Sequence, residues 1–162
     1  MFDHWALSMS TYTVRIATPD DAATIVEFNA RLATETEERT LDRNLLRRGV
    51  EALLADAAKG TYYVAIHGAA IVGQLMITYE WSDWRNGMFW WIQSVYVKPE
   101  ERGKGVFGLL YGHLLEEAKR RGGIAGLRLY VDHANTRAQT TYAKLGMKKS
   151  GYEMFETDFV LG

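Results

Sequence analysis

The sequence predicts an α/β domain with one mixed sheet covered by helices. Its 162 residues are enough for one domain that buries its own core. Apolar residues recur at strand spacing in some segments and at helix spacing in others. Three consecutive strand-like segments favour antiparallel pairing, whereas a strand–helix–strand unit in the second half favours a parallel crossover.

The composition excludes several classes of protein. Hydrophobic residues make up 48% and charged residues 24%, as in ordinary globular chains and unlike disordered ones. The net charge of −1 gives no reason to expect nucleic acid or an anionic membrane as a partner. The absence of cysteine excludes disulfides, thiolate metal sites and a cysteine nucleophile, and four scattered histidines predict no metal site. Without a signal peptide or a long apolar run, we expect a cytoplasmic protein.

The elements begin after a short extension. Residues 1–10 are predicted to be an N-terminal extension, and residues 11–162 a single domain. Either Met9 is the natural initiator, or residues 1–8 are a genuine but loosely held extension. A strand is predicted over residues 11–16. The run Thr18-Pro19-Asp20-Asp21 then predicts a helix start, because a hydroxyl cap, proline in the first turn and early acids all favour one. That helix is expected to end near Leu32.

The middle of the chain changes from helix to strand spacing. A second helix is predicted over residues 41–58, with Gly60 as its stop. Three strands follow over residues 62–66, 71–79 and 88–97, and the last of them is dense in aromatic and β-branched residues.

The second half alternates between helices and strands. A helix is predicted over residues 105–121, a short strand over 127–131, a helix over 136–145 and a last strand over 152–160. Glycines at positions 122, 123 and 146 mark the ends of the two helices.

The junction at residues 95–108 is the most informative segment. A strand leads into a loop rich in glycine and basic residues, and an amphipathic helix starts at its end. Glycines let the backbone approach a ligand closely, and helix-start N–H groups attract anions. The segment therefore predicts a diphosphate-like ligand, with an ordinary capped turn as the plainer alternative. No Ser or Thr follows Lys104, which disfavours a P-loop nucleotide site.

Two motifs resemble the GCN5-related N-acetyltransferases (the GNAT family). Arg102-Gly103-Lys104-Gly105 is similar to the core of the family's Gln/Arg-x-x-Gly-x-Gly/Ala signature, although Phe107 departs from its last position. Downstream, Asn135, Ala138, Tyr142 and Gly146-Met147 match the family's Asn-x-x-Ala-x-x-x-Tyr-x-x-x-Gly-Phe/Met helix. The resemblance spans roughly residues 12–160.

The resemblance implies a fold and a co-substrate. The family sheet is mixed, and acetyl-coenzyme A lies in a cleft where the fourth and fifth strands separate. The implied coenzyme-binding residues are Val95, Tyr96, Val97, Arg102, Gly103, Lys104, Gly105, Val106, Phe107, Gly108, Asn135 and Tyr142. The strand residues would pair with pantetheine through their backbone, and the loop would hold the pyrophosphate. Asn135 would bind the pantetheine arm, although a helix-capping Asn looks the same in sequence.

Tyr142 is the implied general acid. A phenol is protonated at neutral pH and can protonate the departing thiolate. A backbone N–H near Val95 would polarise the thioester carbonyl. Because no cysteine can carry the acetyl group, we expect the amine to attack directly in a ternary complex.

The two motifs do not identify the general base or the residues that bind the acceptor amine. Relatives carry Glu on the fourth strand where Gln93 stands here, and an amide cannot accept a proton at neutral pH. Glu80 is our candidate base, with Asp83, Glu35 and Glu37 as the alternatives. The predicted acceptor-binding residues are Glu35, Glu37, Glu80, Trp81, Asp83 and Gln93, because carboxylates and tryptophan faces attract cations. The tryptophans equally fit a homodimer contact or a capped sheet edge.

The predicted function is therefore transfer of an acetyl group to a primary amine. The acceptor is expected to be a small cationic or amino-acid-like molecule. A non-catalytic acyl-coenzyme A sensor and a protein-directed acetyltransferase are the alternatives, with Gln93 as the main support for the sensor.

Overall fold

A five-stranded mixed sheet organises the chain up to Tyr130. The computed structural model describes residues 11–161. The strands are β1 (Tyr12–Ile16), β2 (Thr61–His67), β3 (Ala70–Ser82), β4 (Gly87–Val97) and β5 (Ile124–Arg128), and they lie in that order across the sheet. The pairs from β1 to β4 are antiparallel, and β4 pairs with β5 in parallel. The predicted mixed α/β sheet is confirmed.

The described residues contain four α-helices. They are α1 (Ala22–Glu37), α2 (Arg43–Leu54), α3 (Val106–Arg121) and α4 (Thr136–Lys144). All four were predicted, but α1 continues past Leu32 until Glu38 takes a left-handed conformation with φ of 51°. The α2 helix occupies only the central part of its predicted range of 41–58. Both differences concern helix ends, where hydrophobic spacing carries the least information.

Local hydrogen bonds explain where α1 and α2 begin. The Asp21 carboxylate accepts from the Thr18 backbone N–H at 2.7 Å and from the Arg15 guanidinium at 2.7 Å. The Asp42 carboxylate accepts from the N–H groups of Asn44 and Leu45 at the start of α2. Asp42 thereby satisfies N–H groups that the start of α2 leaves without intrahelical partners, whereas Asp21 fixes the 3₁₀ turn (Pro19–Asp21) that leads into α1.

Helices cover both faces of the sheet. Neighbouring strand residues point to opposite faces. Tyr62 packs with Ile25 and Val26 of α1 and with Val50 of α2. The ring of the adjacent Tyr63 lies 5.5 Å from His113 of α3. One face of the sheet therefore carries α1 and α2, and the other carries α3.

The strands β4 and β5 part before β4 ends. Their parallel pairing covers Met88–Trp91 of β4, whereas the pairing of β4 with β3 continues as far as Val97. The remainder of β4 thus has an edge that β5 does not pair with. This is the separation that the family resemblance implies.

The last predicted strands differ from the structure. The fifth strand, expected over residues 127–131, lies three residues earlier, because Gly123 accepts from the Met88 N–H at 2.9 Å and pairing starts at once. The strand expected over 152–160 is not formed in the described residues. Apolar pattern and β propensity predict strand character but do not supply a pairing partner.

The described residues divide into two compact units. The first ends at Tyr130, and the second begins at Val131 and contains α4. The predicted N-terminal extension of residues 1–10 lies outside the described residues. The single domain over residues 11–162 stays a prediction.

Candidate functional site

The loop between β4 and α3 has the features of an anion site. Gly103 and Gly105 have φ of 78° and 82°, a region that residues with a Cβ seldom adopt. A Cβ placed on either glycine meets no atom within 4 Å, so the space above the loop is open. Gly105 is also the N-cap of the 16-residue α3 and has no side chain to cap it. The helix start can therefore present its N–H groups and positive dipole end to a ligand.

Arg102 fastens this loop to the rest of the unit. Its Nη2 donates to Glu35 Oε2 at 2.6 Å, and its Nε donates to the Val97 carbonyl at 2.8 Å. The guanidinium also lies 5.4 Å from the centre of the Tyr96 ring. Arg102, predicted to add charge for pyrophosphate, here joins the loop to α1 and to the end of β4.

Glu35 lies on the loop side of the molecule. Besides the Arg102 ion pair, its Oε1 accepts from the Tyr96 hydroxyl at 3.2 Å. Sequence reasoning assigned Glu35 to the acceptor. Its contacts connect the end of α1 to the loop before α3, and its predicted acceptor role stays a prediction.

Glu101 is a second anchor of the loop, and sequence reasoning missed it. Its carboxylate is buried and accepts from the Tyr12 hydroxyl at 2.5 Å and from Lys104 Nζ at 3.3 Å. His67 Nδ1 lies 3.3 Å from its other oxygen. The Tyr12 hydrogen bond, followed by those of His67 and Lys104, lowers the pKa of Glu101 to about 2. Nothing in the local sequence distinguishes Glu101 from its exposed neighbour Glu100, because Tyr12 and His67 lie on the distant strands β1 and β2.

The β4 backbone beside the loop is irregular. Ser94 has φ of 50°, and the register with β3 shifts between Gln74 and Met76. Ser94 and Val95 together lie opposite Leu75 alone, which defines a β-bulge. The predicted pantetheine-binding residues Val95, Tyr96 and Val97 thus lie in or next to the bulge, beyond the end of the β5 pairing.

A charged and aromatic cluster lies further back on β3, β4 and β5. Glu80 Oε2 accepts from Trp91 Nε1 at 2.5 Å and from Arg128 Nη1 at 3.0 Å. The Arg128 guanidinium lies 3.6 Å from the centre of the Phe89 ring. The Trp91 hydrogen bond, and after it that of Arg128, lowers the pKa of Glu80. A lowered pKa makes Glu80 a weaker base than an isolated carboxylate.

Gln93 shares the sheet face of this cluster. It lies opposite Met76, and its Nε2 donates to Thr78 Oγ1 at 2.6 Å. Thr78 in turn lies opposite Trp91. The structure therefore brings Gln93 and Glu80 onto one face through neighbouring cross-strand pairs.

The remaining predicted acceptor residues lie at element ends. Glu37 is the exposed last residue of α1. Trp81 is 59% exposed near the end of β3, and Asp83 begins a short 3₁₀ turn in which its carboxylate accepts from the Trp84 N–H.

Two predicted residues lie in the second compact unit. Asn135 Oδ1 accepts from the Ala138 N–H at 3.1 Å, so its side chain caps α4. Tyr142 lies within α4, and burial raises the pKa of its hydroxyl. The phenol is therefore protonated at neutral pH, as a general acid requires.

Residues 11–161 contain no group of three or more His, Asp or Glu side chains arranged to hold a metal ion. No helix in the same range is long and apolar enough to cross a bilayer.

The model of the acetyltransferase (GNAT) family matches residues 24–147. The chain belongs to the GNAT acetyltransferase family. A solved structure described as a possible acetyltransferase from Clostridium difficile 630 is 46% identical, with a TM-score of 0.85 over 92% of this chain and 98% of that one. The recognition of the family from its two motifs is confirmed.

Two other proteins, one solved structure and one named enzyme, are also similar to this chain. A structure from Clostridium acetobutylicum, described as a predicted acetyltransferase with acetyl-CoA, has a TM-score of 0.74 over 93% of this chain and 97% of that one. At 21% identity it shows the fold alone. The thialysine N-epsilon-acetyltransferase of Bos taurus is 34% identical over 79 residues, which span 49% of this GNAT chain and 45% of that enzyme.

The GNAT chain has a loop that fits the family's co-substrate. Acetyl-CoA carries a pyrophosphate, which needs close backbone approach and N–H donors rather than a metal. The open space above Gly103 and Gly105 and the uncapped start of α3 meet both needs.

The Glu101 anchor predicts a specific pH dependence. Because the pKa of Glu101 is lowered from 4.5 to about 2, its contribution to stability is complete above about pH 4.5 and is lost as the pH falls towards 2. Glu101→Gln should therefore lower the melting temperature at pH 7, and the difference from the wild type should shrink on acidification. Melting curves of both proteins between pH 7 and 2.5 measure this difference.

Glu116→Gln is the matched control, because Glu116 pairs with Lys119 on an exposed part of α3. Its melting temperature should follow the wild type at every pH. A Glu101→Gln difference that stays constant with pH would contradict the anchor.

Proposed function

We propose that this GNAT protein transfers the acetyl group of acetyl-CoA to a primary amine of a small amino-acid-like acceptor. One observation carries the proposal: β4 holds both halves of the site. Its C-terminal end leads into the glycine loop, and Trp91 on the same strand binds Glu80 beside Arg128. A donor lying along the unpaired edge of β4 would reach towards this charged cluster.

The donor would be held largely by backbone groups. Unpaired strand-edge groups of Val95, Tyr96 and Val97 suit the amides of pantetheine, as in the addition of a strand. The loop and first turn of α3, residues 102–108, would receive the pyrophosphate. Arg102 would keep the loop in place, and Lys104 would contribute charge. When bound, acetyl-CoA supplies an acetyl group activated as a thioester.

The protein's own groups would stabilise charge and deliver a proton. The Val95 N–H would donate to the thioester carbonyl oxygen as negative charge develops there. Tyr142 would protonate the departing thiolate, and Asn135 would face the pantetheine arm. The roles of Tyr142 and Asn135 rest on the family motif.

The Glu80–Arg128 pair suggests the acceptor class. Both side chains keep part of their surface exposed, at 44% and 29%, so a ligand could approach each. An α-amino acid carries one charge of each sign, and it would match this pair better than a purely cationic amine would. The name of the bovine relative, a thialysine acetyltransferase, agrees with an amino-acid acceptor. Trp81, Asp83 and Glu37 would form the outer rim.

Proton removal limits the reaction at neutral pH. An alkyl amine has a pKa of about 10.4, so only about one molecule in a thousand is nucleophilic at pH 7.4. Gln93 cannot take this proton, and the lowered pKa of Glu80 favours ammonium binding over strong base catalysis. We therefore infer that Glu80 orients the ammonium and accepts its proton through water. The rate should rise with pH across the neutral range.

The non-catalytic sensor and the protein-directed enzyme are distinguished by the products. A sensor binds acetyl-CoA and releases no thiol in the presence of amines. A protein-directed enzyme acetylates a lysine-containing peptide in preference to free lysine.

Trp84, which is 84% exposed, also fits a homodimer contact. If it forms one, substitution of Trp84 by Ser should lower the mass of the protein in solution from dimer to monomer.

The acceptor proposal predicts an order among three matched amines. Lysine should be used with a lower KM than cadaverine, which lacks the carboxylate, and pentylamine, which also lacks the second amine, should be poorest. Thiol release measured between pH 6 and 9 gives the kinetic constants. Arg128→Gln should remove the preference for lysine over cadaverine. Glu80→Gln should raise the KM of both, lower kcat because the proton acceptor is lost, and leave the KM of acetyl-CoA unchanged.

Glu116→Gln again serves as the control, because this exposed carboxylate lies on α3. Equal use of all three amines, unaffected by either variant, would refute the assignment of the acceptor.

The donor loop makes a separate prediction. Gly105→Glu should abolish coenzyme A binding in calorimetry, because it places bulk and like charge where the pyrophosphate meets the backbone. Gly68→Glu is the matched control, since Gly68 has a similar φ of 62° and equally open surroundings in the β2–β3 turn. Unchanged affinity of the Gly105 variant would refute the pyrophosphate site.

Tyr142 makes a prediction about turnover alone. Tyr142→Phe removes one hydroxyl and should lower kcat by about 10²–10⁴, the usual contribution of general acid–base catalysis. The affinity for acetyl-CoA should stay within about twofold, because packing of the ring is retained. A kcat close to that of the wild type would make Tyr142 a packing residue.

A further inference from the structure

A buried amide holds the irregular part of β4. The Gln74 side chain on β3 is completely buried, and its Nε2 donates to the Ser94 carbonyl at 3.1 Å and to Asn29 Oδ1 at 2.7 Å. Asn29 Nδ2 in turn donates to the Tyr62 hydroxyl at 2.9 Å. A continuous chain of hydrogen bonds therefore runs from β2, through α1 and β3, to the bulge of β4.

The residue at the end of this chain has an unfavourable backbone conformation. Ser94 has φ of 50°, which its Cβ disfavours. Such conformations persist where surrounding contacts fix them, and they concentrate at functional sites. The Gln74 hydrogen bond to the Ser94 carbonyl is one such contact, made in the interior rather than by solvent.

The amide itself is only partly satisfied. Gln74 Oε1 is buried and has no hydrogen-bond partner among the described residues. Burial of an unsatisfied acceptor destabilises a fold, whereas an apolar side chain of similar shape would avoid that cost. Met would fill the same space without an unsatisfied acceptor, so Gln74 makes the fold less stable than Met would. This cost indicates a role other than packing.

Peptide geometry connects this hydrogen bond to the reaction. The Ser94 carbonyl and the Val95 N–H belong to one planar trans peptide group, in which they point in opposite directions. A carbonyl held towards Gln74 in the interior therefore turns the Val95 N–H away from the interior. This N–H is the group that our proposed function places against the thioester carbonyl.

We propose that Gln74, supported by Asn29, is a positioning residue that aims the Val95 N–H at the acetyl group. The inference rests on the proposed function, because it assigns Gln74 a part in that same reaction. Gln74 would touch neither substrate. It would act on the reaction only through the orientation of the Ser94–Val95 peptide group.

Gln74→Met is the direct test, because it keeps the volume and removes the donor. We expect kcat to fall by about ten- to a hundredfold, since misplacement of a catalytic group by about 1 Å can cost about 10². The affinity for acetyl-CoA should stay within about twofold. In nuclear magnetic resonance spectra of the ligand-free protein, the Val95 amide should shift and exchange faster with solvent.

Val64→Ala is the control for a merely structural effect. Val64 is fully buried on β2 directly opposite Gln74, so its truncation loosens the same region and leaves the hydrogen bonds in place. It should lower the melting temperature without changing kcat or the Val95 signal. Loss of activity in Val64→Ala equal to that in Gln74→Met would overturn the positioning role.

A second substitution tests the mechanism by rescue. Glycine accepts a positive φ without a Cβ penalty, so Ser94→Gly should raise kcat several-fold in the Gln74→Met background. In the wild-type background it should bring no gain. Should Gln74→Met not fold, Asn29→Ala removes the supporting partner and should lower kcat in the same direction with a smaller Val95 shift.

The outcomes separate this inference from the proposed function. If the wild type releases no thiol with any amine, the proposed function fails and the positioning role fails with it. If the wild type is active and Gln74→Met keeps its kcat and its Val95 signal, only the positioning role is overturned.

Discussion

The site depends on one constraint: β4 keeps its pairing with β3 after its pairing with β5 has ended. Beyond Trp91, β4 is hydrogen-bonded to β3 on one side and does not pair with β5 on the other. Only such a strand can offer backbone groups to a pantetheine chain and still be held rigidly by the core. The bulge at Ser94 and Val95 lies within this stretch and changes the direction of its peptide groups. The glycine loop follows directly, so in the function that we propose the same strand would orient both parts of the donor.

Acidic residues near the site act mainly through basic and aromatic partners. Glu35 binds Arg102, Glu101 binds Tyr12 and Lys104, and Glu80 binds Trp91 and Arg128. Two of these carboxylates fix the loop that precedes α3, and the third belongs to the proposed acceptor cluster. Because hydrogen bonds lower the pKa of Glu80 and of Glu101, these two carboxylates are weaker bases than isolated ones, which favours positioning of charged groups over strong base catalysis. The arrangement is consistent with an acceptor that itself carries a positive and a negative charge.

Sequence reasoning succeeded where a local signal carries the structure. Pro19 and the acids after it predict the start of the first helix, and Gly122 predicts the end of α3. It failed where the partner is distant in sequence. The last predicted strand, residues 152–160, has the right residue types and no pairing partner in the described structure. The ion pair of Glu35 with Arg102, 67 residues further on, likewise has no signal in the sequence around either residue.

The family and the order of elements up to α4 follow from local signals, because spacing, glycines and two motifs at a fixed separation encode them; the phosphate-binding loop stays a prediction from the same signals. Tertiary structure alone decided how the side chains around that loop are used. Glu101 and Gln74 belong to no motif, and their hydrogen bonds form only when β1, β2, β3 and α1 bring the partners close. Hydrogen bonds act over about 3 Å, so residues far apart in the chain become one site only through the fold.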